Sequence, residues 1–234
     1  MGLAKFSQPP IKMKKLLLLA AIVGSALAIR ADTITLVPSP SDLGDLDHSS
    51  YYTWGFSGIT IPADQIITEA VLTFHNINNW TADENNDPHQ HLNSWLLDSA
   101  DNPSHSGSEQ GAAPAGKLVT YTDADGGTDN FATWAYSAKA HIGTYHDSHG
   151  GPGGDVIDLT YTFSTLGLVD DLSAFIANGN NFALGFDPDC HYYNDGITFT
   201  ITTERKSVPD GGATLVLLAL GLVAIPGLKR LLRA

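Results

Sequence analysis

The chain of 234 residues contains a single cysteine, Cys190, so no disulfide bond can form within it. The fold must therefore be held together by an apolar core, and a central segment of about 175 residues is long enough to bury one. The chain also lacks the G-x-S-x-G, P-loop and H-E-x-x-H motifs of common hydrolase, nucleotide-binding and zinc-protease sites. We therefore predict no catalytic residues and a noncatalytic protein.

Basic residues are nearly absent from the centre of the chain. Between Asp32 and Glu204 there are 24 acidic side chains and only two basic ones, Lys117 and Lys139, which gives a net charge of −22. Such a segment repels nucleic acid and anionic lipid, so we exclude nucleic acid as a partner. It attracts divalent cations, although the same charge also serves plain solubility.

Residues 1–31 have the pattern of a secretion signal peptide. Three lysines within residues 12–15 precede a short apolar run at residues 16–23. Ala26 and Ala28 supply the small residues of a cleavage site, and we predict cleavage after Ala28. The apolar run is too short to cross about 30 Å of hydrocarbon comfortably, which favours a cleaved signal over an anchor.

The last 28 residues, 207–234, contain a second targeting pattern. A short polar motif comes first, formed by Val208, Pro209, Asp210, Gly211 and Gly212. An apolar segment at residues 213–228 follows it, and basic side chains follow at residues 229–233. We predict a transmembrane helix whose basic end stays in the cytoplasm, with residues 32–206 forming one exported domain.

This order of motif, apolar segment and basic end resembles the PEP-CTERM sorting signals, especially those of the VPDSG type. The resemblance implies recognition by an exosortase-type membrane protease in bacteria that make exopolysaccharide. Asp210 and Gly211 depart from the commonest form of the motif. An ordinary single-pass membrane anchor is the alternative interpretation of the same segment.

The central domain also contains segments, such as residues 186–196, that are similar to those of uncharacterised PEP-CTERM exported proteins. That similarity implies a β-sandwich without an established activity. It therefore adds to the prediction of architecture and says nothing of chemistry.

Strand patterns dominate residues 32–206. In the clearest case Ile197, Phe199 and Ile201 share one face opposite three threonines. An inward face is also predicted for Ile157, Leu159, Tyr161 and Phe163. Other strands are predicted at residues 51–61, 66–77, 92–97, 117–122 and 181–186. One helix is predicted to start near Val169 and to end at Gly179. The prediction is a mainly β, antiparallel two-sheet sandwich, jelly-roll-like, with one short helix.

The connection after residue 186 has the strongest metal-ligand pattern. Oxygen donors crowd one short segment between two apolar strands, namely Asp187, Asp189, Asn194 and Asp195. Ca²⁺ prefers six to eight such oxygens, so we predict Ca²⁺ as a candidate cofactor. The alternative is a turn in which these side chains cap backbone amides. A second candidate site consists of Asp123, Asp125 and Asp129, which resemble the start of a calcium loop.

Histidines offer a different ligand chemistry. They occur at His89, His91, His141, His146 and His149. Imidazoles bind zinc or copper, but no third ligand is identifiable from the sequence, so we predict solvent-exposed loop residues. Cys190 and His191 are neighbours that would point to opposite faces of a strand, which favours a buried structural thiol over a catalytic pair.

Aromatic residues surrounded by polar sequence are candidates for sugar stacking. Trp80 and Tyr192 best fit this description. The leading hypothesis is an exported, membrane-sorted surface or extracellular-matrix protein that binds polysaccharide and is stabilised by Ca²⁺. The alternatives are an extracellular carbohydrate-active enzyme, either a glycoside hydrolase or a lyase, and a purely structural component of the cell envelope.

Overall fold

The computed structural model describes residues 31–39, 41, 44–84, 90–99, 118–123, 131 and 138–206. Within these residues no helix has the length and apolar character needed to cross a membrane. The predicted signal peptide and the predicted transmembrane helix lie outside them. Cleavage after Ala28 would leave the whole first strand, which begins at Ala31, in the mature chain.

The described part of the chain forms two antiparallel sheets. The strands of the first sheet are β1 (Ala31–Leu36), β2 (Asp45–Leu46), β4 (Gln65–Asn79), β8 (Ile157–Thr162), β10 (Tyr192–Tyr193) and β11 (Ile197–Arg205). They lie in the order β1-β11-β4-β10-β2, and β8 also pairs with β4. The strands of the second sheet are β3 (Ser50–Ser57), β5 (His91–Leu97), β6 (Leu118–Thr122), β7 (Lys139–His146) and β9 (Asn181–Pro188). Their order is β6-β3-β9-β5-β7. The mainly β, two-sheet prediction is confirmed.

The long strands pair in a nested order. The first, β1, pairs with the last, β11, and β3 pairs with β9. Inside these pairs β4 pairs with β8, and β5 pairs with β7. Each outer pair thus encloses the next in sequence, so most strand contacts join distant parts of the chain.

Aromatic side chains from the inner faces of the two sheets form the main core. Phe56 of β3 packs against Phe199 of β11 with ring centroids 6.2 Å apart. Phe74 of β4 meets Phe186 of β9 at 5.2 Å in an edge-to-face contact. Alternation along each strand brings every second residue into this core, because successive side chains point to opposite faces.

The predicted inward face of β11 is confirmed, but that of β8 is only partly right. Phe163, just after β8, is fully buried, whereas Leu159 and Tyr161 are partly buried. Ile157 is 43% exposed, so its inward prediction is wrong. Ile157 is the first residue of β8, and within the described residues β8 pairs only with β4. An irregularity in β4 interrupts this pairing between Phe74 and Ile77, next to Ile157.

A second apolar cluster covers the outer face of the second sheet. Its buried members are Tyr51, Leu97, Val119, Tyr121, Phe131 and Ala183. Phe131 packs edge-to-face on Tyr51, with ring centroids 5.8 Å apart, and also lies over Gly185. A Cβ atom at Gly185 would come within 2.7 Å of the Phe131 ring, so this position leaves room for glycine alone. Both faces of β3 and β9 are therefore buried, which the sequence patterns did not show.

Two helices connect β8 to β9. The first, α1 (Phe163–Leu166), was not predicted. The second, α2 (Val169–Gly179), matches the predicted helix, and its buried face is formed by Leu172, Phe175 and Ile176. Asn180 follows it in the left-handed conformation and donates its backbone N–H to the carbonyl of Ile176, a common way to end a helix.

Candidate functional site

The predicted calcium segment lies between β9 and β11, and it is more structured than a simple turn. The short strand β10 in its middle pairs with both β4 and β2. The segment is therefore held against the first sheet at one end of the two-sheet structure. This pairing also brings residues 44–48 beside residues 191–195.

The oxygen donors of this segment have separate surroundings. Asp187 is fully buried within β9, opposite Asn93 of β5. Asp189 is 8% exposed, and its backbone N–H donates to the carbonyl of His91. Asp195 is exposed and accepts a hydrogen bond of 2.7 Å from Nδ2 of Asn76.

Asn194 caps the turn that leads into β11. Its Oδ1 accepts from the N–H of Gly196 at 3.0 Å, and its Nδ2 donates to the carbonyl of Gly44 at 3.1 Å. The contacts of Asn194 are those of a capped turn. The calcium site stays a prediction. Its four candidate ligands differ in burial and in hydrogen-bond partners.

The second acidic candidate is only partly described. Asp123 directly follows β6, and its backbone N–H donates to the carbonyl of Ser49. Asp125 and Asp129 lie outside the described residues. Nothing further follows for a cation site there.

The two stacking candidates differ sharply in exposure. Trp80 is 53% exposed, with its Nε1 donating to the Cys190 sulfur at 3.0 Å and its ring against His191 at 5.6 Å. Tyr192 is fully buried, and its hydroxyl donates to the carbonyl of Gln90. Burial raises the pKa of Tyr192 and leaves no ring face for a sugar. The stacking prediction is therefore wrong for Tyr192 and stays open for Trp80.

Cys190 is buried, as the structural interpretation of this residue predicted. Burial raises the pKa of its thiol, and hydrogen bonds from His191 and Trp80 offset this only in part. A thiol with a raised pKa holds little thiolate near neutral pH and is a poor nucleophile.

We expect Cys190 to react with iodoacetamide at pH 8 at least about tenfold more slowly in the native chain than in the urea-unfolded chain. Both the shielding of the sulfur and the scarcity of thiolate slow the native reaction. Mass spectrometry of the alkylated protein over time measures both rates. Equal rates would mean that the Cys190 sulfur is accessible to solvent in the native chain.

A group of ligands that the sequence analysis missed lies beside this thiol. Nδ1 of His191 is 2.7 Å from Oδ2 of Asp45, although the two residues are 146 positions apart in the sequence. The rings of His191 and His48 meet edge to face at 4.9 Å. Nδ1 of His48 is 3.3 Å from Oδ1 of Asp47.

Asp47 is held in a turn that orients its carboxylate. The backbone N–H of Ser49 donates to its Oδ1 at 2.8 Å, and this bond is the main cause of the lowered pKa of Asp47. The N–H of Asp47 donates to the hydroxyl of Tyr52. Asp47, His48 and His191 form the one group of three His, Cys, Asp or Glu residues, within the described ranges, whose ligand atoms all lie within 4.8 Å of one another.

Two of the histidines that the sequence analysis considered also come together. His91 and His146 are opposite each other on β5 and β7, with rings 5.9 Å apart. Oδ2 of the buried Asp83 is 3.4 Å from Nε2 of His91 and 3.8 Å from Nδ1 of His146. Both lie in strands, so their prediction as solvent-exposed loop residues is wrong in position, although the side chain of His146 is 50% exposed.

The other histidines of that set are not part of this pair. His141 packs against the ring of Trp95, and burial lowers its pKa. Nδ1 of His149 is 3.0 Å from the hydroxyl oxygen of Ser148 in the turn after β7. His89 lies outside the described residues.

Comparison with known proteins identifies the C-terminal segment. Residues 207–232 match the VPDSG-CTERM motif, a PEP-CTERM-like sorting tail. The resemblance drawn from the polar motif, the apolar segment and the basic end is thereby confirmed for this part of the chain. The motif suggests an exported, envelope-associated protein and implies processing by exosortase-type machinery. No curated protein matches the chain.

Proposed function

We propose that this chain is a noncatalytic surface or extracellular-matrix protein that binds polysaccharide at the end of the domain where Trp80 lies. The match of residues 207–232 to a sorting motif carries the surface location. The exposed indole of Trp80 supports the binding role, because an aromatic ring offers an apolar face to the C–H groups of a sugar. We further assign the nested strand pairing to the jelly-roll type of sandwich.

The noncatalytic role is supported by the low reactivity expected of Cys190, the one thiol of the chain. The Cys190 sulfur is buried and accepts a hydrogen bond from Trp80, and its raised pKa disfavours the thiolate. An extracellular glycoside hydrolase or lyase is the alternative, because buried carboxylates such as Asp147 and Asp187 lie in the same domain. A purely structural envelope component is the third candidate.

Trp80→Ala should weaken polysaccharide binding by about five- to thirtyfold, since an aromatic residue at the centre of a binding site typically contributes about 1–2 kcal/mol. The experiment is a glycan array probed with the purified chain, followed by titration of the best ligand. Tyr193→Ala is the matched control, because Tyr193 is a similarly exposed aromatic residue at 46%.

The outcomes separate the three candidate functions. Binding that depends on Trp80 and not on Tyr193 supports the proposal. Release of reducing or unsaturated sugars during incubation would favour the enzyme, and the absence of any glycan ligand would favour the structural component.

A further inference from the structure

We propose that Asp47, His48 and His191 bind a divalent transition metal of the Zn²⁺ class, with Asp45 orienting His191. One of these ligands, His191, belongs to the oxygen-rich segment that the sequence suggested for Ca²⁺, but none of the four oxygen donors of that segment is part of this ligand set. It also does not depend on the polysaccharide-binding proposal, because its ligands and its test are different.

Strand pairing assembles the site from two distant segments. Leu46 of β2 is opposite Tyr192 of β10, and Asp45 is opposite Tyr193. This register holds the turn that follows β2 beside the residue that precedes β10. His48 and His191 are thereby brought together on a framework of backbone hydrogen bonds.

One pair of ligand atoms already has the spacing that a metal requires, and the third residue lies close to that pair. Donors bound to a tetrahedral Zn²⁺ at about 2.0–2.2 Å are about 3.3–3.6 Å from one another. Nδ1 of His48 and Oδ1 of Asp47 are 3.3 Å apart, and all three ligand atoms lie within 4.8 Å of one another. Metal binding therefore requires the more distant pairs to move closer by side-chain rotation.

Asp45 is the orienting residue of the site. A carboxylate can only accept a hydrogen bond, so the proton in the 2.7 Å contact belongs to Nδ1 of His191. Nε2 of His191 then has its lone pair available for a metal. A histidine that ligates a metal commonly donates its other ring N–H to a carboxylate in this way.

The donor types select the class of metal. Two imidazoles and one carboxylate suit Zn²⁺ or Cu²⁺, whereas Ca²⁺ and Mg²⁺ prefer sets made entirely of oxygen. The side chains of His48, Asp47 and His191 are 51%, 39% and 25% exposed, so an ion can enter from solvent. Three protein ligands leave a fourth position for water or for an atom of a bound molecule.

The test is a calorimetric titration with ZnCl₂. The full chain is first solubilised in detergent and freed of metal by a chelator. We expect saturable binding of Zn²⁺ and no comparable binding of Ca²⁺ or Mg²⁺. His48→Ala and His191→Ala should each weaken Zn²⁺ binding at least about tenfold. His75→Ala is the matched control, because His75 also lies beside an aspartate, Asp158, while its Nε2 is 3.1 Å from the hydroxyl oxygen of Thr198 and it is not one of the proposed ligands.

Asp45→Asn tests the orienting role. It should weaken Zn²⁺ binding by about ten- to a hundredfold and should leave the metal-free melting curve close to that of the wild type. The visible spectrum of bound Co²⁺ should report a tetrahedral site with nitrogen and oxygen ligands in the wild type and a perturbed one in this variant.

Two results would overturn the proposal. One is Zn²⁺ affinity that is unchanged in His48→Ala, a variant of a half-exposed side chain that should fold normally. The other is loss of binding in His91→Ala with full binding in His48→Ala, which would assign the metal to the group formed by Asp83, His91 and His146.

Discussion

Replacing Phe199 by alanine should lower the free energy of unfolding by about 3–5 kcal/mol, the largest stability effect that we expect from a single substitution. The ring is fully buried between the two sheets. Its centroid is 5.3 Å from that of Phe163, 5.6 Å from that of Phe182 and 6.2 Å from that of Phe56. Truncation removes apolar burial and leaves a cavity that rigid strands on both sides cannot close.

Urea denaturation followed by tryptophan fluorescence measures this loss. Thr200→Ala is the matched control, because Thr200 is the next residue of β11 and its side chain is only partly buried. We expect the control to change stability by less than about 1 kcal/mol. Equal losses for the two variants would mean that β11 does not present alternate faces to the core and the outside.

Removal of residues 207–234 should convert an envelope-associated protein into one found in the culture medium. The deleted segment contains the matched sorting motif, its apolar stretch and the terminal basic residues. The acidic domain that remains has lost this apolar stretch and is repelled by anionic lipid. Cell fractionation with immunoblotting measures the distribution of the two forms.

A motif variant separates sorting from simple anchoring. Replacing Val208, Pro209 and Asp210 by alanine keeps the apolar stretch and the basic end. If exosortase-type processing acts on the tail, this variant should stay membrane-bound with an uncleaved mass, whereas the wild type loses the tail. If the wild-type protein also keeps the mass of the uncleaved tail and stays membrane-bound like the variant, the tail is an ordinary single-pass anchor.

Local patterns predicted most of the regular structure. The threonine alternation of β11 and the apolar spacing of α2 both follow from where side chains point along one element. The strands that were missed have weaker signals. In β7, Lys139–His146, only Ile142 is buried, because this strand is at the edge of its sheet. The first strand, β1, is short and was hidden beside the predicted signal peptide.

The candidate site shows where such patterns fail. The sequence placed Asp187, Asp189 and Asp195 in one cluster because they are near neighbours in the chain. The strand β9 instead buries Asp187, while the turn before β11 exposes Asp195. Neighbours in the sequence thus have different burial and different contacts, because strands and turns direct successive side chains to different surroundings.

The sequence by itself indicated an exported, envelope-associated protein and determined its acidic character and mainly β architecture, because each of these depends on a short motif, on composition or on short-range periodicity. The tertiary structure alone decided that Tyr192 is buried, that Phe131 covers Gly185 and that Asp45 meets His191. Each of these contacts joins segments that are distant in the chain. They follow from strand register, and the alternation within a single strand does not specify which other strand it will pair with.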